Sequence, residues 1–162
     1  MNSSVSVAAD LGLRLVVPEH GEVPLTASLS YRADDPYAIR MAFHVGTDEP
    51  VEWIFARDLL ASGLDHADGE GDVRVWPGAG PYRDVLHISL SSPFGQAQFE
   101  APMAALTGFL LRTFEVVPTG REGDFIDLDG ELDDLLRWAL AAPPHVPCSR
   151  CRARHGGDCP HR

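Results

Sequence analysis

Apolar and polar positions alternate through the first half of the chain. Leu11, Leu13, Leu15 and Val17 recur at every second residue, and Leu25, Ala27, Leu29 and Tyr31 do the same against Thr26, Ser28, Ser30 and Arg32. A period of two sends successive side chains to opposite faces, so both stretches predict strands with one covered face. The turn ADDP closes the second strand. In the third, Ile39, Met41, Phe43 and Val45 alternate with Arg40, Ala42 and His44 until GTDEP stops it. Three strands joined by short turns predict an antiparallel meander. In VEWIFARDLLASGL, Val51, Trp53 and Phe55 line one side of a fourth strand and Glu52, Ile54 and Ala56 the other, after which the period changes to nearly four. That change predicts a strand running straight into a short helix, with Asp58 as its cap, Leu59 and Leu60 inward and Gly63 as a left-handed stop.

After the polar loop DHADGEGD the period of two resumes. Val73 and Val75, then Leu86, Ile88 and Leu90, then Ala97 and Phe99 predict three more strands, for seven in all. Pro102 starts a helix carrying Met103, Leu106, Leu110 and Phe114 at spacings of three and four, and Pro118 ends that region. A last helix is marked by Leu128, Leu132, Leu135, Leu136, Ala139 and Leu140, with Asp127, Asp129, Glu131, Asp133 and Asp134 suiting the positive end of its dipole. The fold class is α+β: about seven antiparallel strands in two sheets with two to three helices. Residues 1–142 form the domain and residues 143–162 a Pro-, Arg- and Cys-rich tail, either disordered or a small zinc-binding appendage.

Charge narrows the choice of partner. The chain of 162 residues has 24 acidic side chains against 13 basic ones, all of them Arg. The tail holds Arg150, Arg152, Arg154 and Arg162 with one acid, Asp158, a net +3 that leaves −14 on residues 1–142. Nucleic-acid binding draws most of its affinity from cations on phosphates, so such a body is a poor nucleic-acid partner. The longest apolar run, Met103 to Leu111, is interrupted by Thr107 and Gly108 and is far short of the roughly 20 residues that span a bilayer. MNSSVSVAADLG lacks the basic head and apolar middle of a secretory signal, so a cytoplasmic protein without membrane insertion is expected.

Catalytic machinery is not visible. Arg57 beside Asp58 reads as structural, since no nucleophile or base lies near it in sequence. The acids Asp65, Asp68, Glu70 and Asp72 lack the spacing of a calcium loop and read as a solvated loop. GAGPYR, residues 78–83, begins like a phosphate-cradling loop but lacks the final Gly and the following helix. His44 and His87 fall opposite the apolar set of their strands and read as surface or edge residues. Ligand chemistry is confined to the tail, where Cys148, Cys151, His155 and Cys159 are spaced C-x2-C-x3-H-x3-C, with His161 as a substitute. Thiolates and imidazole suit tetrahedral zinc. The spacing resembles a zinc knuckle with both inner gaps one residue short, and a reduced, unstructured tail is the alternative. Ile54 and Trp76, each on the less apolar side of its strand, are candidates for an exposed partner-binding patch; packing under a helix or in a subunit interface is the other reading.

As a set, RLVV, DPYAIRMAFH, VEWIFARDLL, GDVRVWP, SLSSPFGQAQFEAP and DFIDLDGEL resemble the SsgA-like proteins, actinobacterial regulators of sporulation and cell division, and most nearly their SsgB branch. The resemblance runs from the first strand to Leu140. It implies a fold like the plant whirly proteins, a homotrimer, no enzyme activity and no cofactor for the main domain. It also implies action by protein contacts at division septa, with FtsZ-like division proteins or other SsgA-like proteins as partners. Whirly relatives bind single-stranded nucleic acid, so a strand-binding protein using the basic, Cys-rich tail is the alternative; the charge of the body opposes it.

Overall fold

Each predicted alternation forms a strand in the computed structural model, which describes residues 5–46 and 49–141. The elements run β1 (Ser6–Val17), β2 (Gly21–Arg32), β3 (Asp35–His44), β4 (Val51–Ala56), α1 (Arg57–Gly63), β5 (Val73–Pro77), β6 (Val85–Ser92), β7 (Gly95–Pro102), α2 (Met103–Val116) and α3 (Leu128–Ala141). The seven strands make one curled sheet in the order β4-β3-β2-β1-β7-β6-β5, antiparallel at every step. Its two halves are joined thinly. β1 pairs with β2 along its whole length, whereas β1 meets β7 at Arg14↔Glu100, Leu15↔Phe99 and Val16↔Gln98 alone. The two sheets expected from sequence are therefore the halves β4-β3-β2-β1 and β7-β6-β5 on either side of this seam.

Strict antiparallel order sorts the strand ends into two groups. β2, β4, β5 and β7 end on one side, and from there α1 and α2 depart. The turns after β1, β3 and β6 lie on the opposite side. Between these ends the inward set is buried: Leu11, Leu13, Leu29, Tyr31, Ile39, Met41, Phe43, Val75, Leu86, Ile88 and Phe99. From α1 and α2, Leu60, Leu106, Phe109 and Leu110 complete the core at the helical end. Each such side chain contributes about 1.5–3 kcal/mol by leaving water.

Two details of α1 differ from the reading of the sequence. Asp58 makes no cap; Ala56 stands at the N-cap with no side-chain hydrogen bond, because the helix starts directly from the extended end of β4. Gly63 is not left-handed either. It is buried inside the helix and the right-handed Leu64 follows it. A Cβ on Gly63 would sit 2.3 Å from Val75 Cγ2, so glycine is needed there for the close approach of α1 to β5. The GAGPYR stretch contains a single 3-10 turn, Gly80–Tyr82.

The chain divides into two compact units, Met1–Ile126 and Asp127–Arg162. Within the second, α3 carries the predicted leucine stripe, and Asp127 Oδ1 accepts the Gly130 N–H at 3.0 Å to close its first turn.

Candidate partner-contact surface

The end of the curled sheet opposite α1 and α2 opens into an apolar groove of about 360 Å3. Phe43 and Phe99, stacked with centroids 4.5 Å apart, are among its lining residues, as are Leu15, Leu90, half-buried Trp53 and half-exposed Val45 and Val51. The groove exists because the inward alternation of β1, β3, β4, β6 and β7 continues to the strand ends, past the last residue that a helix covers. Phe94 forms its lip. It sits at the tip of the β6–β7 hairpin and is 99% exposed. The tip is braced by Ser92, whose Oγ accepts the Phe94 N–H at 3.2 Å and donates to the Gly95 carbonyl at 3.3 Å. An exposed aromatic ring beside an open apolar groove makes this end of the sheet the candidate contact surface.

Charge around this mouth is negative. The loops at that end carry Glu19, Glu49 and Asp72, all exposed, while Glu52, between Val51 and Trp53, is exposed on the opposite face of β4. Of the nearby cations, Arg14 is held by Glu22 at 2.9 Å and Glu100 at 2.8 Å. Arg74 projects from the face of β5 opposite buried Val75.

The Arg57–Asp58 pair is parted by the fold. Asp58 is exposed, while Arg57 is the largest fully buried side chain, 1% exposed. Its Nη1 donates to Tyr31 Oη at 3.0 Å and to the carbonyls of Val117 at 2.7 Å and Thr113 at 3.4 Å; its Nη2 donates to Glu122. The guanidinium lies 4.5 Å from the Phe114 ring centre and 5.2 Å from that of Tyr31. Backbone N–H groups of Glu122 itself and of Gly120, with Arg57, hold the Glu122 carboxyl below its ordinary 4.5 against the opposing effect of burial. Burial raises the Tyr31 phenol above 10.0, so it stays protonated and donates to the Pro36 carbonyl at 3.1 Å. Every polar partner of Arg57 is internal, so the cluster ties α1, α2 and the 3-10 turn Glu122–Phe125 together and presents nothing to a substrate.

Trp76 is half-buried, its ring stacked on His87 at 5.4 Å. The register continues this contact into a cross-strand row, Trp76–His87–Glu100–Arg14. His87 is thereby covered rather than at the surface: its side chain is 15% exposed, and Nδ1 has no hydrogen-bond partner and lies 3.7 Å from Glu100 Oε1. His44 is exposed as expected, 2.9 Å from Ser28 Oγ. Ile54 is 51% exposed on β4. Ile54 and Trp76 stand on the two outermost strands of the sheet, with five strands between them in the hydrogen-bonded order. A second depression, of about 560 Å3, includes Arg14, Asp84, Thr26 and Glu100; its arginine is the one already held by two glutamates. Cys148, Cys151, His155 and Cys159 lie outside the described residues. Among the described ones, no group of three or more His, Cys, Asp or Glu side chains is placed to hold a metal, and no helix is long and apolar enough to cross a membrane. Sequence reasoning missed Phe94, although a Pro-Phe-Gly at a turn, where polar residues are usual, was the available signal.

Residues 25–122 match the family model described as Streptomyces sporulation and cell division protein, SsgA. The chain is 55% identical over 135 residues to the sporulation-specific cell division protein SsgB of Thermobifida fusca, covering 83% of this chain and 98% of that one. With SsgB of Streptomyces coelicolor the identity is 51% over 136 residues, 84% and 98% of the two chains. Among solved structures, the SsgA-like sporulation-specific cell division protein from Thermobifida fusca superposes with a TM-score of 0.74 at 54% identity, covering 83% of this chain and 98% of that one. A structure of SsgB, mutations in which correlate to longitudinal cell division during sporulation of Streptomyces coelicolor, gives 0.73 at 48%, covering 77% and 98%.

Proposed function

The chain belongs to the SsgA family of sporulation and cell division proteins, and from that premise we propose that it regulates sporulation-specific cell division without catalysis, through protein contacts at the septum. Its task is to recruit or position FtsZ-type division machinery, from the cytoplasm and as a homotrimer of whirly-like subunits. The observation that carries this reading is the uncovered apolar mouth with Phe94 at its lip, in a chain whose SsgB relatives are named for division during sporulation. Ile54 and Trp76 are further candidate contacts. The acidic body favours protein partners over a phosphate backbone, which sets the strand-binding alternative second.

The reading is tested in the host: a fluorescent fusion of the full chain should gather at sporulation septa and co-purify FtsZ or another SsgA-like protein. Diffuse fluorescence in sporulating hyphae, with no division protein recovered, would refute it. Zinc in the tail, on Cys148, Cys151, His155 and Cys159, is a separate proposal resting on ligand type and spacing. Elemental analysis of the purified chain should give one zinc per chain, lost in C148S/C151S. A metal-free wild type that takes up no added zinc would dispose of it.

A further inference from the structure

We propose that the open mouth of the curled sheet is a docking groove for a short apolar segment flanked by basic residues in a partner protein, with Phe94 as the ring that closes over it. The inference rests on the contact reading above and gives it a place and a chemistry. The groove is apolar, with Phe43, Phe99, Trp53 and Val51 on its walls and exposed Phe94 at its edge on a hairpin tip whose backbone Ser92 braces. Charge selects among occupants. Glu19 and Asp72 are exposed on loops at this end of the sheet, while Arg14 is taken up by Glu22 and Glu100, and Arg74, like Glu52, stands on the outer face of its strand. A ligand entering there meets an acid on each of two bordering loops and is favoured if it carries Lys or Arg beside its anchors.

The same charges disfavour this chain as its own ligand. Its exposed leucine stripe, on α3, is interleaved with Asp129, Glu131, Asp133 and Asp134, so a second copy offering α3 would set acid against acid. Residues 143–162 are basic, but Val146 is their one large aliphatic residue and they have no aromatic one. A peptide of that composition offers charge but no apolar anchors.

The test uses the full-length protein and two synthetic twelve-residue peptides with the same Leu and Phe anchors, one flanked by Lys and Arg and the other by Glu. Amide NMR titration should show the basic peptide shifting residues 43–46, 51–53 and 90–99. The acidic peptide should bind at least tenfold more weakly, and the basic one should lose affinity as salt rises. Phe94→Ala should cost tenfold or more in affinity with an unchanged thermal midpoint, because that ring touches no core residue. Glu19→Gln/Asp72→Asn should flatten the salt dependence.

Equal binding of both peptides, shifts confined to another face, or no binding at millimolar peptide would overturn the proposal. So would concentration-dependent self-association abolished by Phe94→Ala, which would give the mouth to a second copy, or tighter binding of a 143–162 peptide. The two readings fail separately. A Phe94→Ala protein that still recovers division proteins leaves the cellular role standing and removes the mouth as its surface. A wild type that binds the basic peptide at the mouth but recovers no division protein does the reverse.

Discussion

Arg57→Ala is expected to cost about 3–5 kcal/mol, the loss typical of breaking a buried ion pair from one side, and to lower the thermal midpoint by roughly 10–20 °C. The variant removes a guanidinium that is 1% exposed, leaves the buried Glu122 carboxylate without its cation and takes the donor from the Val117 carbonyl, while Tyr31 Oη, Thr113 and Glu122 each keep another hydrogen-bond partner. It also takes away the cation lying between the rings of Tyr31 and Phe114. Arg57→Lys should recover part of the loss, since an ammonium keeps the charge but cannot reach all four partners from one planar fork. Acid adds an independent reading. The Glu122 carboxyl is held below 4.5 in the folded protein, so its contribution is fully present above that value and is lost as pH falls through the lower, folded one. Urea unfolding from pH 7 down to pH 3 should therefore show a falling limb below about pH 4.5. Glu122→Gln should flatten it. Arg57→Ala should reduce it without removing it, because the backbone donors of Glu122 and Gly120 remain. A thermal midpoint in Arg57→Ala within a degree or two of the wild type would mean that the cluster does not hold α1 to α2.

The second large effect is expected at Gly63, with a sign opposite to helix propensity. Alanine is favoured over glycine in a helix by about 1 kcal/mol. The Cβ of Gly63→Ala would stand 2.3 Å from Val75 Cγ2 and 2.8 Å from its Cβ, and overpacking of a tight core costs roughly 1–3 kcal/mol. Val75 has little room to yield. It is fully buried, opposes Ile88 of β6 on one side and exchanges both backbone hydrogen bonds with Asp68 on the other, each 2.9 Å. Gly63→Ala should thus be destabilised in chemical denaturation, and Gly63→Val more so. Adding Val75→Ala removes the nearer contact, so the double variant should lose less than the sum of the single ones. A Gly63→Ala protein more stable than the parent would show that α1 can move off β5 at little cost.

Much of the fold was legible because the alternation is regular. Leu25 to Tyr31 and Ile39 to Phe43 run as strands of period two, and the burial of Ala27, Leu29, Tyr31, Ile39, Met41 and Phe43 follows that count. Leu106 and Leu110 were placed in the core by spacing alone. What was lost lies where the period breaks. The alternation Val51, Trp53, Phe55, carried one step further, lands on Arg57, but a charge at the start of a helix carries no local sign that it turns inward. Its partner Glu122 is 65 residues away, a separation that no local pattern reports. Asp58 has the chemistry of a cap but not the position, since the strand enters the helix without a turn between them. The exposure of the candidate surface residues was only partly legible. Ile54 is exposed on the face assigned to it, Trp76 is turned against His87, and Phe94 was hidden by its place in a hairpin turn outside any alternation.

The seam between the half-sheets has a consequence for how the molecule is made. Arg14 and Glu100, the first of its three pairs, are separated by 86 positions. At about 5–20 residues per second on the ribosome, β1 emerges on the order of ten seconds before the strand that will close against it. During that interval β1 and β2 can zip along their whole length, yet the face they share has neither α2 nor the second half-sheet to cover it. A nascent chain of this design depends on late closure, and its most vulnerable moment comes before β7 has left the exit tunnel.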